Sequence, residues 1–239
     1  MSVRELSVAI DGPAGAGKST VSRRVAERLG YLLLDTGALY RCIALAAKEA
    51  GKRWDDEPAV SAIAQDIARR EAIRLEAPKD APERILLDGR DVARDIRTQE
   101  IADGASKVSA LPGVRAALLD LQRSAAREGA VVLEGRDIGT VVLPNAEAKF
   151  FLTASVQERA GRRYRELVGR GFTPALAEVE REMRERDQRD TERPVAPLRQ
   201  APDAVLVDST HLSIDEVVAA IVARVLEIRD GLRAAETKH

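Results

Sequence analysis

The residues with the clearest chemical purpose are Gly12-Pro13-Ala14-Gly15-Ala16-Gly17-Lys18-Ser19, which satisfy G-x-x-x-x-G-K-S/T at every fixed position. An apolar run, Leu6–Ile10, comes before them, and apolar residues recurring every four positions come after. Glycines at this spacing let backbone N–H groups curl around a phosphate, and the start of a helix adds partial positive charge. Lys18 is placed to reach the β- and γ-phosphates of a nucleoside triphosphate, and the Ser19 hydroxyl to ligate Mg²⁺. Such a loop also serves GTPase switches and ATP-driven motors. The chain has no N/T-K-x-D segment to read guanine, and a motor normally needs more sequence. A small kinase is the expectation that remains.

Moving a phosphoryl group between two anionic substrates demands charge cancellation more than covalent chemistry. Arginine supplies it through a planar fork of donors, and three places outside the loop qualify. Asp35-Thr36-Gly37 ends an apolar run, with Arg41 about one turn into the next helix. Glu134-Gly135-Arg136-Asp137 ends another, at the strand ends where open α/β sheets bind ligands. Arg186, Asp190 and Arg193 are spaced to share one helix face, although a solvated, salt-bridged helix has the same spacing. Asp88-Gly89-Arg90-Asp91 looks similar locally but reads as a turn. His211 and His239 fall in no motif and are assigned to the surface.

These groups must be held by a scaffold, and the apolar pattern predicts one. Strand-like runs occur at Leu6–Ile10, Tyr31–Leu34, Ala130–Leu133, Lys149–Leu152 and Ala204–Val207. Their near-continuous hydrophobicity suits strands covered on both faces. Helical stripes alternate with them: Val21, Val25 and Leu29 before Gly30, then Ala38 to Ala50 before Gly51, then Val114, Leu118, Leu121 and Ala125. Ser155 with Glu158, and Ser213 with Glu216, have capping-box spacing; the second opens a helix with the stripe Ile214, Val217, Val218, Ile221, Val225. Alternating strands and helices predict an α/β fold with a five-stranded parallel sheet flanked by helices.

Two segments interrupt the alternation. Residues from about Ala72 to Ile96 hold strand-like pieces, Ala72–Leu75 and Arg84–Leu87, followed by Asp88-Gly89, which predicts a small antiparallel β insertion. The stretch from about Arg159 to Arg193 contains ten arginines and no lysine. Gly169 and Gly171 split it into two helices, with Thr173-Pro174 starting the second and Pro194 stopping it.

With 239 residues and 45% apolar content, the chain can bury one substantial core. A net charge of −1 argues against a dedicated nucleic-acid binder. Cys42 is the sole cysteine, which excludes an intrachain disulfide or a thiolate metal cluster and fits a reducing compartment. It is expected to be a small buried residue on a helix. The first residues lack an apolar core with a cleavage site, and no stretch approaches about 20 apolar residues. These features predict a cytoplasmic protein without a membrane partner. A monomer is expected, because no long apolar stripe is left unassigned.

The segments AIDGPAGAGKST, LLDTGALYR, DIRTQEI, EGRDIGTVVLPNAEAKFFLTAS, RDQRDTERPVAPL and DAVLVDST together resemble bacterial-type cytidylate kinases, a family of nucleoside monophosphate kinases with the P-loop kinase fold. They span nearly the whole chain in the family's order, and the GRD-x-GTVV-P and RD-x-RD-x-x-R-x-x-APL segments are far more specific than the loop. The resemblance implies a single P-loop kinase domain over 1–239, with a nucleoside monophosphate region at about 37–112 and a mobile helical lid at about 159–193. The β insertion at about 72–96 belongs to that region. It implies that ATP, with Mg²⁺ near Ser19, occupies Gly12, Pro13, Ala14, Gly15, Ala16, Gly17, Lys18, Ser19 and Thr20.

The same resemblance places Arg41, Arg136 and Arg193 around the acceptor or transferred phosphate, and Arg186 and Asp190 near the sugar. Ser106, Arg115 and Asp137 would recognise cytosine, whose amine wants a carboxylate and whose ring nitrogen and carbonyl want donors. Lys18, Arg136, Arg186 and Arg193 are the implied catalytic set. Thr36 is either an acceptor-phosphate contact or a helix cap. By spacing alone Ser106 and Arg115 read as ordinary helix-surface positions. The implied reaction moves the ATP γ-phosphoryl group to CMP or dCMP, and replacing Arg193 with Ala should then cut turnover far more than stability. UMP, AMP or a small metabolite such as shikimate remain alternative acceptors, and a non-catalytic nucleotide sensor is an alternative class.

Overall fold

The computed structural model describes residues 5–76 and 84–236, with only the backbone at Glu236. In chain order the elements are β1 (Ser7–Asp11), α1 (Lys18–Leu29), β2 (Leu32–Asp35), α2 (Thr36–Glu49), α3 (Glu57–Arg69), β3 (Ile73–Glu76), β4 (Arg84–Leu87), β5 (Arg90–Asp91), α4 (Gln99–Val108), α5 (Pro112–Ser124), β6 (Val131–Gly135), β7 (Ala148–Thr153), α6 (Val156–Gly169), α7 (Leu176–Glu192), β8 (Val205–Asp208) and α8 (Ile214–Glu236). The chain forms two compact units, Met1–Leu33 with Ala126–His239, and Leu34–Ala125.

The first unit is built on a five-stranded parallel sheet of order β2-β6-β1-β7-β8. Each strand begins or ends within two residues of an apolar run in the sequence. β1 is central: Ile10 lies opposite Glu134 on β6 and Phe150 on β7, so the phosphate-loop strand has a neighbour on each side. The central strands are covered on both faces, as their hydrophobicity predicts. The edge strands are not, since Leu32 on β2 is 70% exposed and Leu206 on β8 is 55% exposed. An edge strand lacks one neighbour and lies toward the limit of what the flanking helices shield, so continuous hydrophobicity overstates its burial.

Val21 and Val25 of α1 and Val217, Val218, Ile221 and Val225 of α8 pack with Val8, Ile10 and Phe150. Full burial of each aliphatic side chain stabilises the fold by about 1.5–3 kcal/mol. Ile214, placed on that stripe by spacing, is 44% exposed because it sits at the first turn of α8. Of the two capping-box spacings only the second closes in both directions. Ser155 Oγ accepts from Glu158 N at 3.2 Å, but Ser155 N donates to Thr210 Oγ1 while Glu158 Oε1 accepts from Arg162 Nε, so Ser155 is a simple N-cap. Ser213 N donates to Glu216 Oε2 at 2.8 Å while Ser213 Oγ accepts from Glu216 N at 3.3 Å. The second helix of the arginine-rich stretch starts at Leu176, two residues beyond Pro174. No helix among the described residues is long and apolar enough to cross a membrane.

The second unit combines α2 to α5 with an antiparallel sheet of order β3-β4-β5. Asp88 (φ 51°) and Gly89 (φ 79°) form the hairpin turn, with Leu87 paired to Arg90. Positive φ at both turn residues matches the right-handed strand twist, which explains the Asp-Gly signal. Ile43, Val60, Ile67, Ile85, Ile96 and Leu118 belong to one buried cluster. The apolar pattern had not marked α3 and α4, whose sequences are interrupted by charge. Side-chain caps start them: Asp56 accepts from Ala59 N and Thr98 from Ile101 N. Cys42 is fully buried as expected, and burial pushes its thiol up to about 12. His211 is exposed, and His239 lies outside the described residues.

Candidate active site

The phosphate loop follows β1 without a break. Gly12 has φ 152°, and a Cβ there would lie 1.9 Å from the Leu152 carbonyl oxygen on β7. Only glycine lets the chain leave the sheet this closely against its neighbour. Gly17 (φ 90°) is the N-cap of α1 and has no side chain to satisfy the helix's first amides. Those donors, with the aligned peptide dipoles, suit an anion. Ala14 and Ala16 are buried, while Gly15, Ser19 and Thr20 are exposed.

Lys18 is 6% exposed, and its Nζ donates to Pro13 O at 2.8 Å. Burial, and then the Arg136 guanidinium, draw its amine well below the ordinary 10.5, against the opposing pull of Glu134 and Asp190. Triphosphate oxygens would add negative charge at this amine and restore its proton. Triphosphate binding is therefore expected to take up protons at pH values between the lowered and the ordinary Lys18 value. Calorimetric titration with ATP at about pH 8 in buffers of different ionisation enthalpy should show uptake, and Lys18→Met should abolish it. Equal heats in all buffers would contradict this electrostatic picture.

Around the end of β6 the same unit gathers four of the predicted residues. Arg136 Nε donates to Asp190 Oδ2 at 2.9 Å, and Arg193 Nη2 donates to Asp137 Oδ1 at 3.0 Å. Asp137, Asp190 and Arg193 are buried, while the Arg136 side chain is 20% exposed. Burial acts against both charges of the first pair, yet Arg136 and then Arg186 hold the Asp190 carboxyl below its usual range. Against the same cost of burial, Asp190 raises the Arg136 guanidinium further. A solvated, salt-bridged helix describes Arg181 and Arg184, which pair with glutamates on the exposed side of α7. It does not describe Asp190. The expected single helix face needs correction at Arg193, because α7 ends at Glu192 and Arg193 is its C-cap with extended ψ 140°. There Arg193 Nε donates to Ala196 O at 2.7 Å, so a turn as well as a helix aims its fork. Arg186 is half-buried on α7.

In the second unit, Asp35 caps α2 by accepting from Ala38 N at 3.2 Å, so the cap lies one residue before Thr36. Thr36 is buried and Arg41 half-buried on that helix. Ser106 and Arg115 are 5% and 7% exposed, which overturns their surface reading from spacing. Ser109 links them: its Oγ donates to Ser106 O at 3.0 Å and its carbonyl accepts from Arg115 Nη1 at 3.2 Å. The Arg115 guanidinium also lies 5.6 Å from the centre of the Tyr40 ring, where a cation is attracted to the π face.

Three polar residues near the loop were given no role by the sequence reading. Asp11 and Glu134 are buried at the ends of β1 and β6, where each directly follows an apolar run. Arg159 was one arginine among ten, yet it is 4% exposed, donating to Ala154 O, Ala14 O of the phosphate loop and Asp187 on α7, at 2.9, 2.9 and 2.7 Å. With all three guanidinium nitrogens engaged by protein, Arg159 braces the loop. The only available signal was its position just after the Ser155 cap.

Comparison with known proteins agrees with this geometry. A cytidylate kinase from Syntrophotalea carbinolica is 51% identical over 224 residues, covering 94% of this chain and 93% of that protein. One from Chromobacterium violaceum is 48% identical over 215 residues, 90% of this chain and 93% of its own. A solved structure of an uncharacterized protein from Eubacterium ventriosum superposes with a TM-score of 0.50 at 14% identity, over 93% of this chain and 99% of that one, a likeness of fold alone. The cytidylate kinase family model matches residues 8–227. A match of that extent, on a chain whose phosphate loop and buried arginine–aspartate pairs stand at the ends of neighbouring strands, shows that this chain belongs to the cytidylate kinase family.

Proposed function

We propose that this chain transfers the γ-phosphoryl group of ATP to CMP or dCMP, giving ADP and CDP or dCDP. The supporting observation is the pair of buried ion pairs at the end of β6, the strand next to the one that carries the phosphate loop. The acceptor oxygen is already anionic at neutral pH, so in-line transfer needs no general base. Lys18, Arg136, Arg186 and Arg193 stabilise the charge that spreads over the transferring group. Asp137 accepts from the cytosine amine, and Asp190 and Arg186 meet the sugar. Ser106 and Arg115 read the ring nitrogen and carbonyl, while Arg41 and Thr36 serve the acceptor phosphate.

We assign residues 37–112 as the acceptor region, 72–96 as its β insertion and 159–193 as a lid that excludes water. The lid's C-terminal end is already fastened through Asp190 and Arg193. Among the described residues no group of three or more His, Cys, Asp or Glu could hold a metal. Ser19, an exposed hydroxyl residue next to Lys18, whose amine feels the Glu134 carboxylate, suits Mg²⁺ that arrives with the triphosphate and keeps most of its water and phosphate ligands. Bound there, Mg²⁺ would supply charge neutralisation on the β- and γ-phosphates. The same reading takes the chain as a cytoplasmic monomer with no nucleic-acid or membrane partner.

The test is ADP formation from Mg·ATP with CMP, dCMP, UMP, AMP, shikimate and no acceptor. Fast turnover with CMP and dCMP, slower with UMP and negligible otherwise, is the expected result. A preference for another acceptor would keep the kinase and discard the base-reading assignment. ATP binding without acceptor-dependent turnover would leave a nucleotide sensor.

A further inference from the structure

Asp11 is the last residue of β1 and directly precedes Gly12. It is 3% exposed, and its two oxygens are both engaged: Oδ1 accepts from Ile138 N at 2.8 Å and Oδ2 from Gly139 N at 2.7 Å. Those amides open a single π-helical turn, Ile138–Val142, immediately after Arg136-Asp137. One acceptor on one amide would fix only a position. A carboxylate bridging two successive amides also fixes the rotation of the segment, and hence the direction in which Asp137 leaves it. Burial, with a smaller push from the nearby Asp137, raises the Asp11 carboxyl to about 6 even with both amides holding it down. A buried acid is a costly way to end a strand, so this interaction asks for a reason beyond folding.

We propose that Asp11 is a positioning residue for the acceptor: it holds the turn after Asp137 from the strand that carries the phosphate loop, and so sets Arg136 and Asp137 relative to that loop. This rests on the assignment of Asp137 to the cytosine amine made above. Asp11 itself touches neither substrate. Asp190 and Arg193 hold Arg136 and Asp137 through their side chains, whereas Asp11 holds the backbone that follows them.

The experiment is steady-state kinetics and thermal melting of the full chain carrying Asp11→Asn, with CMP, UMP and ATP varied in turn. Asparagine keeps the size but offers one acceptor oxygen, and turns an NH₂ toward the second amide. KM for CMP should rise about tenfold and the preference for CMP over UMP fall several-fold, with KM for ATP changed by less than about twofold. A lower melting temperature with unchanged kinetics would reduce Asp11 to a structural contact and overturn the proposal. Equal rises in both KM values would also overturn it, because the phosphate loop itself would then have been disturbed.

Gly139→Ala supplies an independent reading if Asp11→Asn fails to fold. Its Cβ would lie 3.4 Å from Asp11 Oδ2 and 3.2 Å from Lys149 Cδ, a crowding of a few tenths of an ångström against the groups that flank the turn. A smaller selective rise in KM for CMP is expected there, and unchanged kinetics in a Gly139→Ala variant whose amide spectrum shows Ile138 and Gly139 shifted would count against the proposal. Asp137→Asn separates the two levels of the argument. If it changes the preference for CMP over UMP and neither other variant does, the positioning role is wrong. If Asp137→Asn leaves that preference intact, the cytosine assignment falls and the positioning role falls with it.

Discussion

Arg193→Ala is expected to lower turnover on the order of 10³-fold, within the range for loss of an arginine that stabilises a transferring phosphoryl group. Unlike the expectation from sequence alone, it should also destabilise the fold. The Arg193 and Asp137 side chains are only 3% and 5% exposed, so truncation takes a neutralising cation away from a buried carboxylate. Breaking such a pair costs about 3–5 kcal/mol. The fork also releases the Ala196 carbonyl, which helps the chain turn after α7. The two losses can be separated. Adding Asp137→Asn removes the buried charge that Arg193 neutralises, so the double variant should melt at a higher temperature than Arg193→Ala while turnover stays low. Turnover should be measured well below each melting transition. A folded Arg193→Ala enzyme with wild-type-like turnover would end the catalytic assignment.

Lys18→Met should give the opposite pairing of effects. Turnover is expected to fall by about 10³-fold or more, because the cation proposed to meet the β- and γ-phosphates is gone. Stability should hold or increase. Lys18 has a depressed amine in the folded state, so as pH falls from above 10.5 the unfolded chain gains a proton that the folded chain resists. At neutral pH that difference works against folding, and methionine removes it while filling similar space. A melting temperature unchanged or a few degrees higher is therefore the expected result, since about 1 kcal/mol shifts a chain of this size by roughly 2–4 °C. A variant retaining more than about a tenth of wild-type turnover would contradict the role of Lys18. Arg193 and Lys18 are both buried cations, and their partners explain the contrast. Arg193 neutralises a buried carboxylate, whereas Lys18 directly hydrogen-bonds a neutral acceptor, the Pro13 carbonyl.

Much of this was legible from sequence because it is local. A phosphate loop is a strand end, a turn and a helix start in one continuous stretch, so Gly12 to Ser19 could be read in order. The five strands and the Asp88-Gly89 hairpin were equally accessible, since apolar runs and turn residues act over a few positions. The edge strands marked one limit, because the sequence of β2 or β8 does not say where in the sheet it will lie. Only the tertiary structure chose among chemically identical side chains. It paired Arg136 with Asp190 across 54 positions and Arg193 with Asp137 across 56, and it hung the Asp137 turn from Asp11 across 127. It buried Arg159 against Ala14 across 145 positions while leaving Arg181 and Arg184 at the surface. Spacing along a helix places an arginine on a face, but which packed neighbour desolvates it decides whether it braces a loop, neutralises a carboxylate or faces water.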